Sequence, residues 1–217
     1  MMKKVTPKTT TAPKKPKRRE PKPPNLRNLI YTRKWEECVE AVKSFPGQAA
    51  LKDKLGDLPI HEACNSGAPF SVVKALHRGY PQGIGEKGFC GRLPLHYAAY
   101  NRPSLHVIQF LLRAYPEAAT IFDADGRLPL HLAVVRNAPK QAIQTLIAAY
   151  PKSLTIANQF GNTPEMLARN EHVYDLLLAE KERPRGINQK LDLEKKLMRD
   201  WMDGSKSPVN LTPEKAI

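Results

Sequence analysis

The chain of 217 residues has only three cysteines, Cys38, Cys64 and Cys90, and none of them forms a CxxC pair. This scatter does not provide a disulfide framework, and it favours a reducing compartment. The longest uncharged apolar-rich run, residues 141–151, is too short to cross a bilayer, so we expect no transmembrane segment. The N-terminus has basic residues without an apolar stretch behind them, so we expect no secretory signal peptide.

Acidic residues are scarce at the N-terminus, and the net charge of +14 is therefore unevenly distributed. Residues 1–24 contain nine Lys or Arg and one Glu, whereas residues 25–180 contain 17 basic and 14 acidic residues. The body of the chain is nearly neutral, which argues against a uniformly basic nucleic-acid-binding fold. Residues 1–24 have almost no apolar side chains to bury, so we expect a disordered, basic, proline-rich tail.

A six-residue string recurs every 35 residues along the chain. Its copies begin at Leu58, Leu93 and Leu128 and read LPIHEA, LPLHYA and LPLHLA, and a degraded copy, TPEMLA, begins at Thr163. A second marker, an aromatic residue followed by proline, keeps the same step, at Phe45, Tyr80, Tyr115 and Tyr150. Two independent markers with one period predict a repeat protein.

Each repeat predicts two short helices. The proline of the string suits the first position of a helix, so helix A is expected at roughly Pro94–Asn101 in the second copy. Helix B is expected to start after Pro69, Ser104 or Pro139 and to end at the Tyr-Pro pair. Its apolar stripe comprises Val72, Val73, Leu76; Val107, Ile108, Leu111, Leu112; and Ala142, Ile143, Leu146, Ile147. Such short, one-sided helices become stable when stacked copies bury a continuous core.

The string LPLHxA, preceded by Gly-Arg at residues 91–92 and 126–127, resembles the ankyrin-repeat motif G-x-T-P-L-H-x-A. The resemblance covers residues 25–180 and implies an all-α solenoid of stacked helix–turn–helix units joined by short finger loops. It also implies that the motif histidines bond to the backbone of neighbouring repeats. Two departures mark a variant repeat: Leu replaces the motif Thr in three copies, and Ala-Tyr-Pro replaces the usual Gly-Ala after helix B.

The expected organisation places caps and tails around the repeats. It comprises an N-terminal cap at 25–55, repeats near 56–90, 91–125 and 126–160, and a C-terminal cap at 161–182. Residues 183–203 predict an amphipathic helix that either caps the last repeat or docks a partner. The apolar residues of this segment are Ile187, Leu191, Leu197, Met198, Trp201 and Met202. The polar residues 204–217 predict a second disordered tail.

Three sequence patterns resemble catalytic or ligand-binding motifs, but the surrounding sequence argues against each of them. The motif histidines occur once per repeat, roughly 10 Å apart, whereas zinc needs all of its ligands within about 2.3 Å. The GxGxxG string at 83–88 lies between helices and not in a βαβ unit, so it does not predict a nucleotide site. His61 and Glu62 begin an HExxH string, but Asn65 occupies the place of the second histidine. We therefore expect no enzyme activity, cofactor or metal.

Partner-binding residues are sought at positions that differ between repeats, because shared positions hold the stack together. Three fingers carry a phenylalanine at a tip position, Phe89, Phe122 and Phe160. Exposed aromatic rings anchor interfaces, although these rings could instead fold back onto neighbouring fingers. The candidates on the concave face of helix A are Tyr97, Tyr100, Arg102 and Arg136.

The N-terminal tail contains a basic cluster, formed by Lys14, Lys15, Lys17, Arg18 and Arg19. It resembles a monopartite nuclear localisation signal, which is bound by an import receptor. The alternative is a basic arm that binds RNA, DNA or acidic membranes through salt-sensitive charge pairing. We expect a nuclear or cytoplasmic location, or both.

The sequence thus predicts a monomeric, non-enzymatic adaptor that binds a protein partner through finger tips and the concave face of helix A. The alternative is a nucleic-acid-associated protein whose basic tail supplies the affinity while the repeats act as a scaffold. Salt dependence separates the two, because binding through +8 charges in 24 residues weakens steeply as salt rises.

Overall fold

The computed structural model describes residues 23–101 and 104–183, and within these ranges the chain forms ten α-helices and no β-strand. The helices are α1 Leu26–Tyr31, α2 Trp35–Ser44, α3 Pro59–Asn65, α4 Phe70–Gly79, α5 Pro94–Tyr100, α6 Leu105–Ala114, α7 Pro129–Val135, α8 Lys140–Ala149, α9 Pro164–Leu167 and α10 Glu171–Glu182. The basic cluster and the predicted amphipathic helix lie outside the described residues. The limits assigned to the caps and repeats stay predictions.

The odd-numbered helices from α3 to α9 all begin with the proline of the repeated string. In the first three copies, the histidine Nδ1 accepts a hydrogen bond from the backbone N–H of the preceding leucine. These bonds join Leu58 to His61 at 2.9 Å, Leu93 to His96 at 3.1 Å and Leu128 to His131 at 3.1 Å. The histidine therefore binds the leucine N–H at the helix start where the motif threonine is absent.

The other ring nitrogen of each motif histidine reaches the backbone of the segment after helix B. The Nε2 atoms of His61, His96 and His131 lie 2.8, 3.3 and 3.0 Å from the carbonyl oxygens of Glu86, Arg127 and Ile156. All three side chains are buried. The histidines thus have the structural role that the resemblance implies, although only the contact of His96 crosses the limits predicted for its repeat.

Helix B follows the prediction at both ends. Pro69, Ser104 and Pro139 directly precede α4, α6 and α8, and each of these helices ends just before a Tyr-Pro pair. The proline then begins a short 3₁₀-helix, which the sequence analysis did not predict. These 3₁₀-helices are Pro46–Ala50, Pro81–Ile84, Pro116–Thr120 and Pro151–Leu154.

The core forms between the two helix layers and between consecutive repeats. Helix α3 packs on α5, α5 on α7 and α7 on α9, while α2 packs on α4, α4 on α6 and α6 on α8. The predicted stripe residues of α4, α6 and α8 are all buried. This arrangement confirms the stacked, all-α solenoid.

The last repeat is open on one side. Val173 and Leu177 are buried, but Tyr174 is 40% exposed, although the equivalent Ile143 is fully buried. Tyr174 is exposed because no described repeat follows α10 to cover that side.

Candidate protein-interaction surface

The tip of each finger is a five-residue turn, which we call the finger turn, at residues 53–57, 88–92, 123–127 and 158–162. In three of them an Asx residue comes first, and its Oδ1 accepts the backbone N–H groups of the third and fifth residues. The Oδ1 distances are 2.8 and 2.8 Å for Asp53, 3.0 and 2.9 Å for Asp123, and 2.9 and 3.0 Å for Asn158. The fourth residue is glycine with positive φ in all four turns. The turns are therefore locally specified.

The second finger turn departs from this pattern because Gly88 replaces the Asx residue. A Cβ atom at this position would overlap Oδ1 of Asp57 in the first finger. The same carboxylate accepts the backbone N–H of Phe89 at 3.0 Å and the hydroxyl of Tyr97 at 3.0 Å. Asp57 thus supplies a carboxylate acceptor from the neighbouring finger, but to the N–H of the second residue of the turn and not to those of the third and fifth.

Backbone and ionic contacts join the later fingers into one row. The N–H of Ala124 donates to the carbonyl of Cys90 at 2.8 Å, and that of Gln159 donates to the carbonyl of Asp125 at 3.2 Å. The buried carboxylate of Asp123 also bridges two repeats, since it accepts from Nε of Arg92 and Arg127 at 3.3 and 3.1 Å. The row of fingers is therefore a fixed surface.

Large apolar side chains protrude from this row. Phe89, Phe122 and Phe160 are 47, 43 and 66% exposed, so none of them is folded into the stack. Two further members, Leu51 and Leu55, are 57 and 59% exposed on the first finger and were not predicted from the sequence. The sequence contains a sign of this for Leu55, which is the third residue of its finger turn, as Phe160 is in the fourth turn. We call these five residues the finger ridge.

Fewer of the predicted side chains of helix A are accessible to a partner than the sequence suggested. Tyr97 is buried, and its hydroxyl donates to Asp57, so its ring is not available to a partner. Burial, reinforced by that carboxylate, raises the pKa of Tyr97 above its usual value. Partner binding by Tyr97 stays a prediction, which its burial does not favour. Arg102 lies outside the described residues.

Tyr100 and Arg136 do meet on the concave face. The half-buried ring of Tyr100 has the Arg136 guanidinium 4.6 Å and the Arg92 guanidinium 5.8 Å from its centroid. Nε of Arg136 also donates to the carbonyl of Tyr100 at 3.2 Å. The ring of Tyr100 thus makes cation–π contacts with two guanidinium groups, of which that of Arg92 also pairs with Asp123.

Burial shifts the pKa values of the motif histidines and of two cysteines so that their uncharged forms are favoured. Burial lowers the pKa of His96 to about 4, and it also lowers the pKa values of His61 and His131. Burial raises the pKa of Cys38 to about 11 and that of Cys64 to about 12, so both thiols stay protonated. Among residues 23–101 and 104–183, no cluster of three His, Cys, Asp or Glu is placed to hold a metal ion. In the same part of the chain, no helix has the length and apolarity to span a bilayer.

A family of known proteins matches the repeats. Residues 60–152 match the family described as ankyrin repeats, in three copies. No curated protein matches the chain. The matched segment runs from α3 to the 3₁₀-helix after α8, and it includes the second and third finger turns.

Proposed function

Since the chain is an ankyrin-repeat protein and ankyrin repeats are generic protein–protein interaction modules, we propose that it is an adaptor that binds a protein partner through the finger ridge. Ankyrin repeats are typically non-enzymatic, and in this proposal binding is the whole activity. Regulation, where it occurs, acts through the tails.

The observation that carries the proposal is the exposure of the ridge on fingers that are bonded to one another. Phe89, Phe122 and Phe160 sit on separate finger loops, each at least 43% exposed. Aromatic side chains in a fully desolvated centre dominate the energy of many interfaces. Because hydrogen bonds already fix the fingers, binding would lose little conformational entropy.

The surroundings of the ridge favour a partner with apolar anchors and acidic neighbours. Lys54 and Lys87 are exposed on the first two fingers, and Arg92 and Arg136 flank the Tyr100 ring on the concave side. A polar, charged rim around an apolar centre is the usual layout of a protein interface. Rim charges mainly speed association and select the partner.

The test compares the full chain with a triple variant, Phe89→Ser, Phe122→Ser and Phe160→Ser, by affinity capture from nuclease-treated lysate. Tyr31→Ser is the matched control, because Tyr31 is 80% exposed at the end of α1 and is not a member of the finger ridge. We expect the triple variant to lose at least about ten-fold in affinity for the recovered partner, and the control to retain it. Undiminished recovery by a folded triple variant would refute the proposal.

A second proposal rests on the charge of +8 in residues 1–24. We propose that the basic cluster directs nuclear import, with a nuclear or cytoplasmic location or both; the alternative is that it binds polyanions. The test replaces the five basic residues of the cluster by Gln in the full chain. Import predicts a loss of nuclear accumulation of a fluorescent fusion. Polyanion binding instead predicts loss of a nucleic-acid interaction that weakens steeply with salt.

A further inference from the structure

The two ends of the stack are built differently. In α4, Val72 and Val73 are both fully buried, since repeats lie on both sides of the helix. In α2, the first helix B, Cys38 is buried, while Glu37 is exposed at the position equivalent to Val72. This position faces the preceding repeat, and at the N-terminal end of the stack it is polar. Such a polar outer face is what a terminal repeat needs for solubility.

At the C-terminal end of the stack, polar Glu165 and Arg169 replace the buried Leu130 and Val134, but three other outward positions carry apolar residues. Tyr174 is 40% exposed where Ile143 is fully buried, and Met166 is 69% exposed where His131 is fully buried. Leu178, one turn after Tyr174, is only partly buried. We call Met166, Tyr174 and Leu178 the end face. Their equivalents are buried against a following repeat in the rest of the stack, yet here the three positions are apolar and partly or largely exposed.

The end face spans both helices of the last repeat. Nζ of Lys181 on α10 pairs with Oε2 of Glu165 on α9 at 2.8 Å, which fixes the two helices relative to each other. Lys181 lies two turns after Tyr174, and Glu165 directly precedes Met166. The salt bridge thus joins the helix that carries Met166 to the helix that carries Tyr174 and Leu178.

The chain itself supplies an occupant of matching chemistry. The sequence of residues 187–202 places Ile187, Leu191, Met198 and Trp201 at helical spacing, and it begins five residues after α10 ends. We propose that residues 187–202 pack against the end face and complete the apolar core of the last repeat. This inference is independent of partner binding by the finger ridge.

Length and charge both fit this occupant. A helix of 16 residues would be about 24 Å long, compared with about 18 Å for the 12 residues of α10. The four connecting residues, 183–186, are within the usual range for packed helices. Helix α10 has four acidic residues and one lysine, whereas residues 183–202 have six basic and three acidic residues. A tether this short gives a millimolar effective concentration, so the segment competes well with other apolar ligands.

The test is amide hydrogen exchange on the full chain, with a synthetic peptide of residues 187–202 as the reference. We expect these amides to exchange at least about ten-fold more slowly in the chain than in the peptide. A double variant, Met166→Glu and Tyr174→Glu, should remove most of this difference. The control Tyr31→Glu should not change it. Exchange in α3–α7 reports whether each variant remains folded.

A second variant leaves the repeats untouched. Leu191→Asp with Met198→Asp should make the amides of α9 and α10 exchange faster if the segment covers them. The proposal is overturned if residues 187–202 exchange as fast as the peptide, or if their protection survives in the folded end-face variant. It is also overturned if protection disappears on dilution, because a second copy of the chain would then be the occupant.

Discussion

Removal of the buried carboxylate of Asp123 should destabilise the stack more than its conversion to an amide. Its side chain has no solvent exposure, and it accepts four hydrogen bonds. Oδ1 accepts the backbone N–H groups of Asp125 and Arg127 at 3.0 and 2.9 Å. Oδ2 accepts Nε of Arg92 and Arg127 at 3.3 and 3.1 Å. This one group therefore holds the third finger turn and bridges two repeats.

The expected magnitudes follow from what each substitution leaves unpaired. Asp123→Ala leaves two backbone N–H groups and two guanidinium groups without their carboxylate acceptor. Loss of one partner from a buried ion pair lowers the free energy of unfolding by about 3–5 kcal/mol. The side chains of Arg92 and Arg127 are 18 and 23% exposed, so water screens part of the ion-pair energy. We therefore expect Asp123→Ala to lower the free energy of unfolding by about 3 kcal/mol. Asp123→Asn keeps the Oδ1 acceptor, as Asn158 does in the fourth finger turn. We expect Asp123→Asn to lower the free energy of unfolding by about 1.5 kcal/mol.

The assay is urea unfolding of the full chain, followed by far-ultraviolet circular dichroism. The two variants should lower the unfolding midpoint with an unchanged denaturant slope. Equal destabilisation by Ala and Asn would mean that the turn bonds contribute nothing measurable. A loss below about 1 kcal/mol for Asp123→Ala would refute the assignment of this carboxylate as a structural link.

Three further predictions concern a close contact, a buried histidine and the thiols. Gly88→Ala should lower the urea midpoint because the new Cβ overlaps Asp57, whereas Gly47→Ala, with no neighbour within 4 Å, should not. Burial lowers the pKa of His96 to about 4, so the unfolded state binds more protons below about pH 6.5. The free energy of unfolding should therefore fall by about 2 kcal/mol from this group between pH 7 and pH 5, measured by urea unfolding at each pH. A thiol reagent should modify only the partly exposed Cys90 in the folded chain, and all three cysteines in urea.

Each of these predictions has an outcome that contradicts it. Equal midpoints for the two glycine variants would show that the approach of Asp57 to Gly88 is not required. Stability that is constant or higher at pH 5 would contradict the buried, neutral state of His96. Rapid modification of two or more thiols in the folded chain would contradict the burial of Cys38 and Cys64.

Much of the fold was predictable because its signals are local. A proline marks each helix A start from α3 onward, and a Tyr-Pro pair ends each helix B from α4 to α8. The 3₁₀-helices were missed because four or five residues show no apolar periodicity, although Pro81 and its equivalents suit a helix start. The short α9 could not be foreseen in detail, because the last repeat lacks the four residues between its helices.

The interaction surface was predictable only in part. The phenylalanines were found because fingers differ at those positions, and their exposure follows from the turn geometry. The burial of Tyr97 was not foreseen, because its hydroxyl bonds to Asp57, 40 residues earlier in the chain. A contact of this kind between repeats leaves no mark in the local sequence. Leu51 and Leu55 were missed because the comparison of fingers was limited to aromatic residues.

The most direct test of partner binding by the finger ridge is photocrosslinking. A benzophenone amino acid replaces Phe122 in one full-length protein and Tyr31 in another, since both side chains are exposed. We predict a covalent adduct with the captured partner from position 122 and none from position 31. An adduct from position 31 alone, or a partner that copurifies without reacting at position 122, would contradict the account.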